Sequence, residues 1–407
     1  MISMPSIDLS MTRVLFAYAV TVLLAASCAE SMDRLEKRVF DIATEQCIRM
    51  DAQLSASDSP RTYTPQGIFV TAPLNWWCSG FYPGTLWYLY SRNGNETLRV
   101  LAEKNTRKLD DVGACGSGHD IGFQYWCSYG NGLKLAGHED YLPVIEQAAA
   151  LLARRFNPTV GCIRSWGAID EKDHFKVIID NMMNLELLME ASRLFRCDSL
   201  AAIARQHART TAAQHFRPDG SSFHVVDYDQ ATGAPMRKHT HQGYSDASAW
   251  SRGQAWGLYG YTMMYRETGD GEDLAQAETI ARYLLGRLPE DGIPYWDYDC
   301  PAIPYTYRDA SAAAIMASAF CELSGLAGDR ALARQCRRMA EKQIRTLASP
   351  EYLCADPGAN GCFLLRHSTG NLHGDGNNKL LEVDAPLTYA DYYFIEAIIR
   401  FNAGKRK

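Results

Sequence analysis

Apolar residues recur along most of the chain at steps of three and four positions, the spacing that places them on one face of an α-helix. Alternation at every second position, which is typical of a half-buried strand, is confined to short pieces such as residues 223–226. The pattern therefore predicts an all-α protein. Its twelve predicted helices cover residues 32–50, 76–90, 96–109, 121–135, 141–156, 181–195, 199–215, 247–267, 274–288, 310–326, 330–347 and 385–401.

The connections between the predicted helices alternate in length. The short ones contain glycine followed by polar or acidic residues, which is typical of a helix that ends and restarts at once. They lie at residues 93–96, 137–139, 269–272 and 328–329, with residues 196–198 in the equivalent place without a glycine. The long connections hold many of the Trp, Tyr, His and Asp residues of the chain, and they precede residues 121, 181, 247, 310 and 385.

In a chain of antiparallel helices, this alternation brings all the long connections to one end of the assembly, where function is expected. Five short-linked pairs, with a sixth pair formed by the first and last helices, predict an (α/α)6 barrel of six inner and six outer helices. An open α-solenoid would contain the same pairs, but it would not need aromatic-rich loops on one face only. We therefore expect a single barrel domain over residues 31–403.

Each long connection places an aspartate at or near the start of the next predicted helix. These residues are Asp120, Asp180, Asp246, Asp309 and Asp384. Aspartate is a favoured N-cap residue, so capping is the ordinary role of any one of them. As a group, however, they converge on one barrel mouth, where neighbouring carboxylates repel and one can retain its proton near neutral pH. Acid–base chemistry on a glycosidic bond requires such a proton.

Tryptophans are concentrated in the same connections, and a flat indole face suits the apolar face of a sugar ring. Core packing is the ordinary alternative for each of them. They are Trp76, Trp77, Trp126, Trp166, Trp250, Trp256 and Trp296.

The charged residues do not indicate an anionic polymer as partner. Lys and Arg number 41 against 47 Asp and Glu, a formal charge of −6, so the basic footprint of a nucleic-acid-binding protein is missing. His119, His224, His239 and His241 show no spacing that makes a convincing metal site. We predict no nucleic-acid partner, no metal and no cofactor.

The first 28 residues have the pattern of an export signal. Arg13 precedes a mostly apolar stretch, residues 14–26, that is too short to cross a bilayer as a helix. The end of this stretch, Leu-Leu-Ala-Ala-Ser-Cys at residues 23–28, resembles a bacterial lipobox ending at Cys28, although Ala25 stands where leucine is usual. We expect an exported protein that is periplasmic or anchored to the cell envelope by a lipid on Cys28. Ordinary signal cleavage is the alternative, and the lipid is the one membrane contact predicted.

Six motifs in order resemble the unsaturated glucuronyl hydrolases of glycoside hydrolase family 88, over nearly the whole chain after the signal segment. They are Trp77-Cys78-Ser79-Gly80-Phe81-Tyr82-Pro83-Gly84, His119-Asp120-Ile121-Gly122-Phe123, Ile179-Asp180-Asn181-Met182-Met183-Asn184, Gln242-Gly243-Tyr244-Ser245-Asp246, Trp250-Ser251-Arg252-Gly253-Gln254-Ala255-Trp256 and Tyr389-Ala390-Asp391-Tyr392-Tyr393-Phe394. The fold of that family is an (α/α)6 barrel, which agrees with the helix pairs read from periodicity alone.

The resemblance implies an exo-acting hydrolase. Such an enzyme removes the 4,5-unsaturated uronic acid that polysaccharide lyases leave at the non-reducing end of glycosaminoglycan-type oligosaccharides, and it does so by hydrating the vinyl ether. It implies Asp180 as acid and base, with Asp120 raising the pKa of Asp180 and orienting it. The substrate-binding residues implied are Trp76, Trp77, His119, Trp166, His224, Gln242, Arg252 and Trp256, with Arg252 as donor toward the uronate or, alternatively, held in a structural ion pair.

Substrate choice stays open at this level. Family members that prefer sulfated fragments can carry a Ser-x-Ser-x-Lys segment in the last long loop, where this chain has His-Ser-Thr-Gly-Asn-Leu-His at residues 367–373 and Lys379 farther on. Two other functions compete with the one implied. One is an unsaturated rhamnogalacturonyl hydrolase acting on pectin fragments, and the other is a non-catalytic sugar-binding protein of the cell surface.

Overall fold

Twelve helices form the framework of the computed structural model, which describes residues 30–116, 118–373 and 380–404. The predicted signal segment, with Cys28, and Lys379 lie outside these residues. The helices are α1 (Met32–Asp51), α2 (Phe81–Asn93), α3 (Glu96–Arg107), α4 (Ile121–Tyr125, a π-helical turn Trp126–Gly130 and Asn131–Ala136), α5 (Leu142–Ala153), α6 (Leu185–Phe195), α7 (Asp198–His215), α8 (Ser251–Thr268), α9 (Gly271–Arg287), α10 (Ala310–Leu326), α11 (Arg330–Leu347) and α12 (Thr388–Ala403).

The helices alternate between an inner and an outer ring. The even-numbered helices pack side by side, and α12 contacts α2, which closes the inner ring. Inner α10 is alanine-rich and buried almost throughout, whereas outer α11 buries only one stripe, which includes Leu332, Cys336, Ala340 and Ile344. The predicted all-α (α/α)6 barrel is therefore confirmed, and contact between α12 and α2 is what an open solenoid would lack. The hydrophobic core is continuous from Met32 to Phe401.

Left-handed residues end the helices before four of the five short connections. Gly94, Gly137 and Gly269 have φ of 66°, 74° and 66°, the conformation that glycine adopts without a steric penalty. Arg196 takes the same place between α6 and α7 with φ of 53°. Four short links therefore have the predicted helix end, including the one without a glycine. The exception is the link between α10 and α11, where Ala327 has φ of −59° and Gly328 is not left-handed.

The long connections carry short antiparallel strands. These are β1 (Asp58–Tyr63) paired with β2 (Phe69–Pro73), β3 (Phe156–Asn157) with β4 (Cys162–Ile163), β6 (Val225–Tyr228) between β5 (Phe175–Ile178) and β7 (Pro235–His239), and β8 (Ser368–Thr369) with β9 (Val383–Ala385). In the three-stranded sheet Ile178, Val225 and His239 are neighbours across the strands. The sheet therefore joins two long connections at the barrel mouth, the one before α6 and the one before α8.

Helix α6 begins at Leu185 rather than at residue 181, because residues 181–184 belong to a 3-10 helix, and three further helices also begin later than the periodicity predicts. Helix α2 begins at Phe81 rather than at residue 76, α8 at Ser251 rather than 247, and α12 at Thr388 rather than 385. Apolar residues before each start are buried in turns and bridges of the barrel mouth instead. Trp250, for example, forms a β-bridge with Asp297. It is buried, as the periodicity predicts, but its backbone is not helical.

As a consequence, two of the five predicted helix-start aspartates do not stand at helix starts. The Asp246 carboxylate accepts the Thr240 N–H at 3.0 Å, and Asp384 lies in β9 at 2.6 Å from His367 Nδ1. Asp309 does cap α10, because its carboxylate accepts the N–H of Ser311. No helix within the described ranges is both long and apolar enough to cross a membrane.

Arg196 offers a test of the left-handed helix ends. Its side chain is exposed, so Arg196→Gly removes the strain of a left-handed non-glycine residue without removing a buried contact. We expect the free energy of unfolding in urea to rise by about 1 kcal/mol. Gly94→Ala is the matched control, because an added Cβ there meets nothing within 4 Å and only strain is introduced. This control should lower the free energy of unfolding by about 1 kcal/mol. A change of the same sign in both variants would contradict the conclusion that left-handed residues end these helices.

Candidate active site

Asp120 and Asp180 lie on the wall of one cavity at the barrel mouth. Asp120 directly precedes α4, and Asp180 lies in a 3-10 helix, Ile179–Asn184, that leads into α6. Among the described contacts, Asp120 accepts no capping hydrogen bond from α4, so the ordinary role of such an aspartate is not the one it has here. The side chains remain 19% and 13% exposed, which leaves both carboxyls within reach of a ligand.

The cavity has a volume of about 340 Å³ and mixed polar and aromatic walls. Its depth is formed by the two acids with Phe123, Ile178 and Arg252, and its rim includes the exposed His241 and His373. The full lining is Arg61, Trp76, Trp77, Asp120, Phe123, Trp166, Ile178, Asp180, His241, Gln242, Arg252, Asn371, His373, Glu382 and Tyr389. Apolar surface combined with a few converging polar groups is the usual make-up of a small-ligand site.

Burial governs the protonation of both acids. Burial raises the pKa of Asp180 above its ordinary range, while the Arg252 guanidinium opposes that rise. Burial also raises the pKa of Asp120, and the neighbouring Asp180 charge raises it further. The expectation was that Asp120 raises the pKa of Asp180. The structure instead attributes the raised pKa of Asp180 to burial, and the repulsion between the two acids raises the pKa of Asp120. The pair retains a proton at a pH where ordinary carboxyls have lost theirs.

Two buried histidines stand behind the acids. His224 Nδ1 accepts the backbone N–H groups of His241 and Gln242, each at 3.2 Å, so its proton must be on Nε2. That Nε2 lies 3.5 Å from Asp180 Oδ2. Burial, followed by the nearby His241 and Arg252, lowers the pKa of His224, so the ring is neutral. Its Nε2–H is held beside Asp180 without forming a hydrogen bond to it.

His119 has the corresponding position beside the other acid. Its Nε2 lies 3.6 Å from Asp120 Oδ2, and burial, followed by the Arg155 charge, lowers the pKa of His119 to about 3. Both histidines were predicted to bind substrate. The structure puts each of them behind the cavity wall and beside an acid, so their predicted contact with substrate stays a prediction.

Contacts within the fold hold the Arg252 side chain in place, and the same side chain faces the cavity. Its Nη1 lies 3.0 Å from Asp309 Oδ2 and donates to the Thr369 carbonyl at 2.6 Å, while Nη2 donates to the Gly370 carbonyl. The guanidinium also lies 4.5 Å from the Trp250 ring centroid. The structural ion pair foreseen as the alternative is thus present, and the same side chain lines the cavity.

Most of the other predicted residues line the cavity, and one packs behind its lining. Trp76, Trp77 and Trp166 are half-buried in the cavity wall, and Gln242 lines it while its amide donates to the Gly370 carbonyl at 2.8 Å. Trp256 is fully buried behind the acids, packed against Phe123, rather than in the wall. Seven of the ten predicted site residues line this cavity. The other three, Trp256, His119 and His224, are buried behind its lining.

An ion pair in the cavity wall was not predicted from the sequence. Arg61 on β1 donates from Nε to Glu382 Oε1 at 2.7 Å, and its guanidinium lies 4.6 Å from the Trp76 ring centroid. Arg61 and Glu382 are 321 positions apart, so no local pattern could join them. His373, whose Nε2 lies 3.1 Å from the Gly243 carbonyl, was also missed, although its place in the last long loop was a usable signal.

Comparison with known proteins agrees with this geometry. A curated unsaturated glucuronyl hydrolase of Formosa agariphila (strain DSM 15362 / KCTC 12365 / LMG 23005 / KMM 3901 / M-2Alg 35-1) is 44% identical over 327 residues, 80% of this chain and 79% of its own length. This chain belongs to the unsaturated glucuronyl hydrolase family, glycoside hydrolase family 88. An unsaturated chondroitin disaccharide hydrolase of Streptococcus pyogenes serotype M1 is 30% identical over 372 residues, 89% of this chain and 90% of its own.

A solved relative has the same fold. The crystal structure of an unsaturated glucuronyl hydrolase specific for heparin superposes with a TM-score of 0.86 at 42% identity, covering 93% of this chain and 99% of the other. No protein-family model matches the chain.

The last long loop of this family member holds its hydroxyl groups inside the fold. Ser368 is fully buried in β8, and Thr369 Oγ1 donates to the Arg308 carbonyl at 2.9 Å. Gly370 contributes its carbonyl to Gln242 and Arg252. Residues 368–370 therefore support the cavity through backbone carbonyls rather than hydroxyl groups, whereas the side chains of Asn371, His373 and Glu382 line it.

A second cavity of about 250 Å³ lies among the later turns of the inner helices, away from the acids. Three carboxylates near it, those of Glu186, Glu190 and Glu267, lie within 4.8 Å of one another and could hold a cation. Each of them is already paired with arginine: Glu186 and Glu267 with Arg266, and Glu190 with Arg193. Because arginines already occupy all three carboxylates, the cluster does not by itself mark a metal centre.

The fixed position of Arg252 makes a prediction about stability. Arg252→Met leaves the fully buried Asp309 without its cationic partner, and breaking such a pair costs about 3–5 kcal/mol. The matched control is Lys37→Met, which removes an exposed pair with Asp41 on α1 and should cost less than about 1 kcal/mol. Urea unfolding of both variants measures the difference. Similar losses in the two variants would show that Arg252 is not a structural anchor.

Proposed function

We propose that this protein removes the 4,5-unsaturated uronic acid from the non-reducing end of glycosaminoglycan-type oligosaccharides made by polysaccharide lyases. The observation that carries the proposal is the pair of buried, proton-retaining acids, Asp120 and Asp180, on the wall of one small cavity. The names of the relatives, glucuronyl and chondroitin disaccharide hydrolases, support the substrate class. A cavity of about 340 Å³ suits the end of an oligosaccharide rather than a long polymer.

The proposed reaction begins with proton transfer from Asp180 to C4 of the sugar. Protonation breaks the C4–C5 double bond and leaves a cation at C5 that the ring oxygen stabilises. Water then adds at C5 and returns a proton to Asp180, which now acts as a base. The resulting hemiketal opens and releases a keto-acid and the next sugar. One water molecule is consumed, and Asp180 ends in its starting state.

The surroundings of Asp180 suit both halves of this cycle. Burial keeps the acid protonated before the reaction, because charge is costly away from water. After proton transfer, Arg252 and the Nε2–H of His224 face the new carboxylate and stabilise it. Asp120 supplies the repulsion that prevents both acids from being charged together.

Residues of the cavity wall have binding roles in this proposal. Trp166 offers a face for stacking on the sugar, and Trp76 and Trp77 line the entrance. Gln242 and Arg252 provide polar groups toward the hydroxyls and the carboxylate of the uronic acid. A non-catalytic sugar-binding protein would need the aromatic groups but not two buried acids, so the catalytic function is favoured.

The decisive variant is Asp180→Asn, which keeps the size of the side chain and removes the acidic proton of the carboxyl group. On unsaturated chondroitin and heparin disaccharides, followed by loss of double-bond absorbance, we expect turnover to fall by about 10²–10⁴-fold while ligand binding is retained. Asp120→Asn should also be strongly impaired. Asp246→Asn is the matched control, an exposed aspartate of the same barrel end, and it should stay near wild type. Activity near wild type for Asp180→Asn would refute the assignment.

The same assay separates the competing functions. An unsaturated rhamnogalacturonan disaccharide, tested beside the glycosaminoglycan products, should be a poor substrate. If it is the one product consumed, the pectin function replaces the one proposed. If disaccharides bind to the wild-type protein without any loss of absorbance, the protein is a sugar-binding protein and the catalytic proposal fails.

We also propose that residues 1–28 direct export and that Cys28 is the site of lipid attachment. The support is the sequence pattern alone, a short apolar stretch that ends in Leu-Leu-Ala-Ala-Ser-Cys. Expressed in a bacterial host, the mature chain should begin at Cys28, carry added lipid mass and partition into detergent, whereas Cys28→Ser should lose the lipid. A soluble mature chain starting just after residue 28 would support ordinary cleavage, and retention of Met1 would contradict export.

A further inference from the structure

The segments that carry the two acids touch at one point. Gly122, two residues after Asp120, packs on Asn184, four residues after Asp180. A Cβ added to Gly122 would lie within 3 Å of the Cα, Cβ and Oδ1 of Asn184, closer than real side chains approach. Asn184 is fully buried, and it stands outside the cavity lining. Because Gly122 has no side chain, the two segments can pack this closely. We infer that this contact is what makes the two carboxyls neighbours.

The hydrogen bonds of Asn184 give its amide a defined orientation. Its Oδ1 accepts the Phe123 N–H at 3.0 Å, so its Nδ2 is the donor end. That Nδ2 lies 3.5 Å from His119 Nδ1 and 3.4 Å from Asn181 Oδ1. His119 Nδ1 must then be an acceptor, which leaves the His119 proton on Nε2, the atom that faces Asp120. One amide thus sets both the spacing of the acids and the tautomer of the histidine beside them.

We propose that Asn184 is a positioning residue of the reaction. It holds Asp120 against Asp180 through the Gly122 contact and the Phe123 N–H, and it directs the His119 Nε2–H toward Asp120. The proposal rests on the proposed function, because it concerns the same two acids. It adds a role for a residue that touches neither the cavity nor, on this geometry, the substrate.

The pH dependence of the reaction can distinguish a positioning role from simple packing. A loss of packing alone would not be expected to change the pKa of Asp120. The groups that face Asp120 are Asp180, Arg155, His119 and Asn184, with the Cys78 thiol also near. Burial and the Asp180 charge raise the pKa of Asp120, whereas the Asn184 amide and Arg155 hold it down. Loss of the amide therefore raises the pKa of Asp120 further. Because the two acids titrate as a pair, the whole pH–rate profile should move to higher pH.

The experiment uses Asn184→Ala and Asn184→Ser in the full chain. The serine hydroxyl can still accept the Phe123 N–H, which protects folding if the alanine variant is too unstable. We expect kcat on an unsaturated disaccharide to fall by about tenfold or more, since small displacements of reacting groups are costly. KM should stay within about threefold, because Asn184 lies outside the cavity wall. The pH–rate profile should shift upward. Gly122→Ala, which keeps the amide and forces the segments apart, should also lower kcat.

Asn105→Ala is the matched control for loss of a buried amide. Asn105 lies on α3 and donates to Asp51 Oδ1 at 2.7 Å, away from the acids, so kcat and the pH profile of this variant should stay at wild type. A profile at the wild-type position in the Asn184 variants, or kcat within about twofold of wild type, overturns the proposal. Failure of both Asn184 variants to fold assigns the residue to folding and overturns it as well. If the wild-type protein turns over no unsaturated glycan, the proposed function fails instead.

Discussion

The structure depends on the burial of two neighbouring carboxyls. Removing a carboxylate from water costs several kcal/mol, and a second negative charge beside it adds to that cost. Asp120 and Asp180 reduce the cost by keeping a proton between them, so burial raises the pKa of both. A vinyl ether needs a proton donor that remains protonated near neutral pH. The feature that is costly for folding is therefore the one that supplies the chemistry.

Much of the barrel mouth holds this pair in place. The glycine at residue 122 lets the segments meet, and neutral histidines face each acid from behind. Arg252 lies close enough to moderate the pKa of Asp180, and its own position is fixed by Asp309 and by carbonyls of the last long loop. Because Asp309 also caps α10, the same ion pair connects a barrel helix, the loop and the active acid. Stability and reactivity are thus carried by shared contacts.

The helix pairs could be predicted because their information is local. Three- and four-residue spacing marks the buried stripes, and glycine marks the short turns at Gly94, Gly137 and Gly269. The acids could be located because they stand in ordered motifs. The three-stranded sheet could not be predicted, since β5 and β6 are four residues each and lie far apart in the chain. The same holds for the Arg61–Glu382 pair, and for the partners of Arg252, two of which are backbone carbonyls that carry no sequence signal.

The central claim is that the free protein holds one proton on this pair of acids near neutral pH. The direct measurement is the side-chain carboxyl ¹³C chemical shift of aspartate between pH 4 and 9, with Asp180→Asn and Asp120→Asn used to assign the two signals. The account predicts that one of the two carboxyls remains protonated near neutral pH, and that removing either acid changes the titration of the other. Two independent carboxyls that are both ionised well below neutral pH would contradict it.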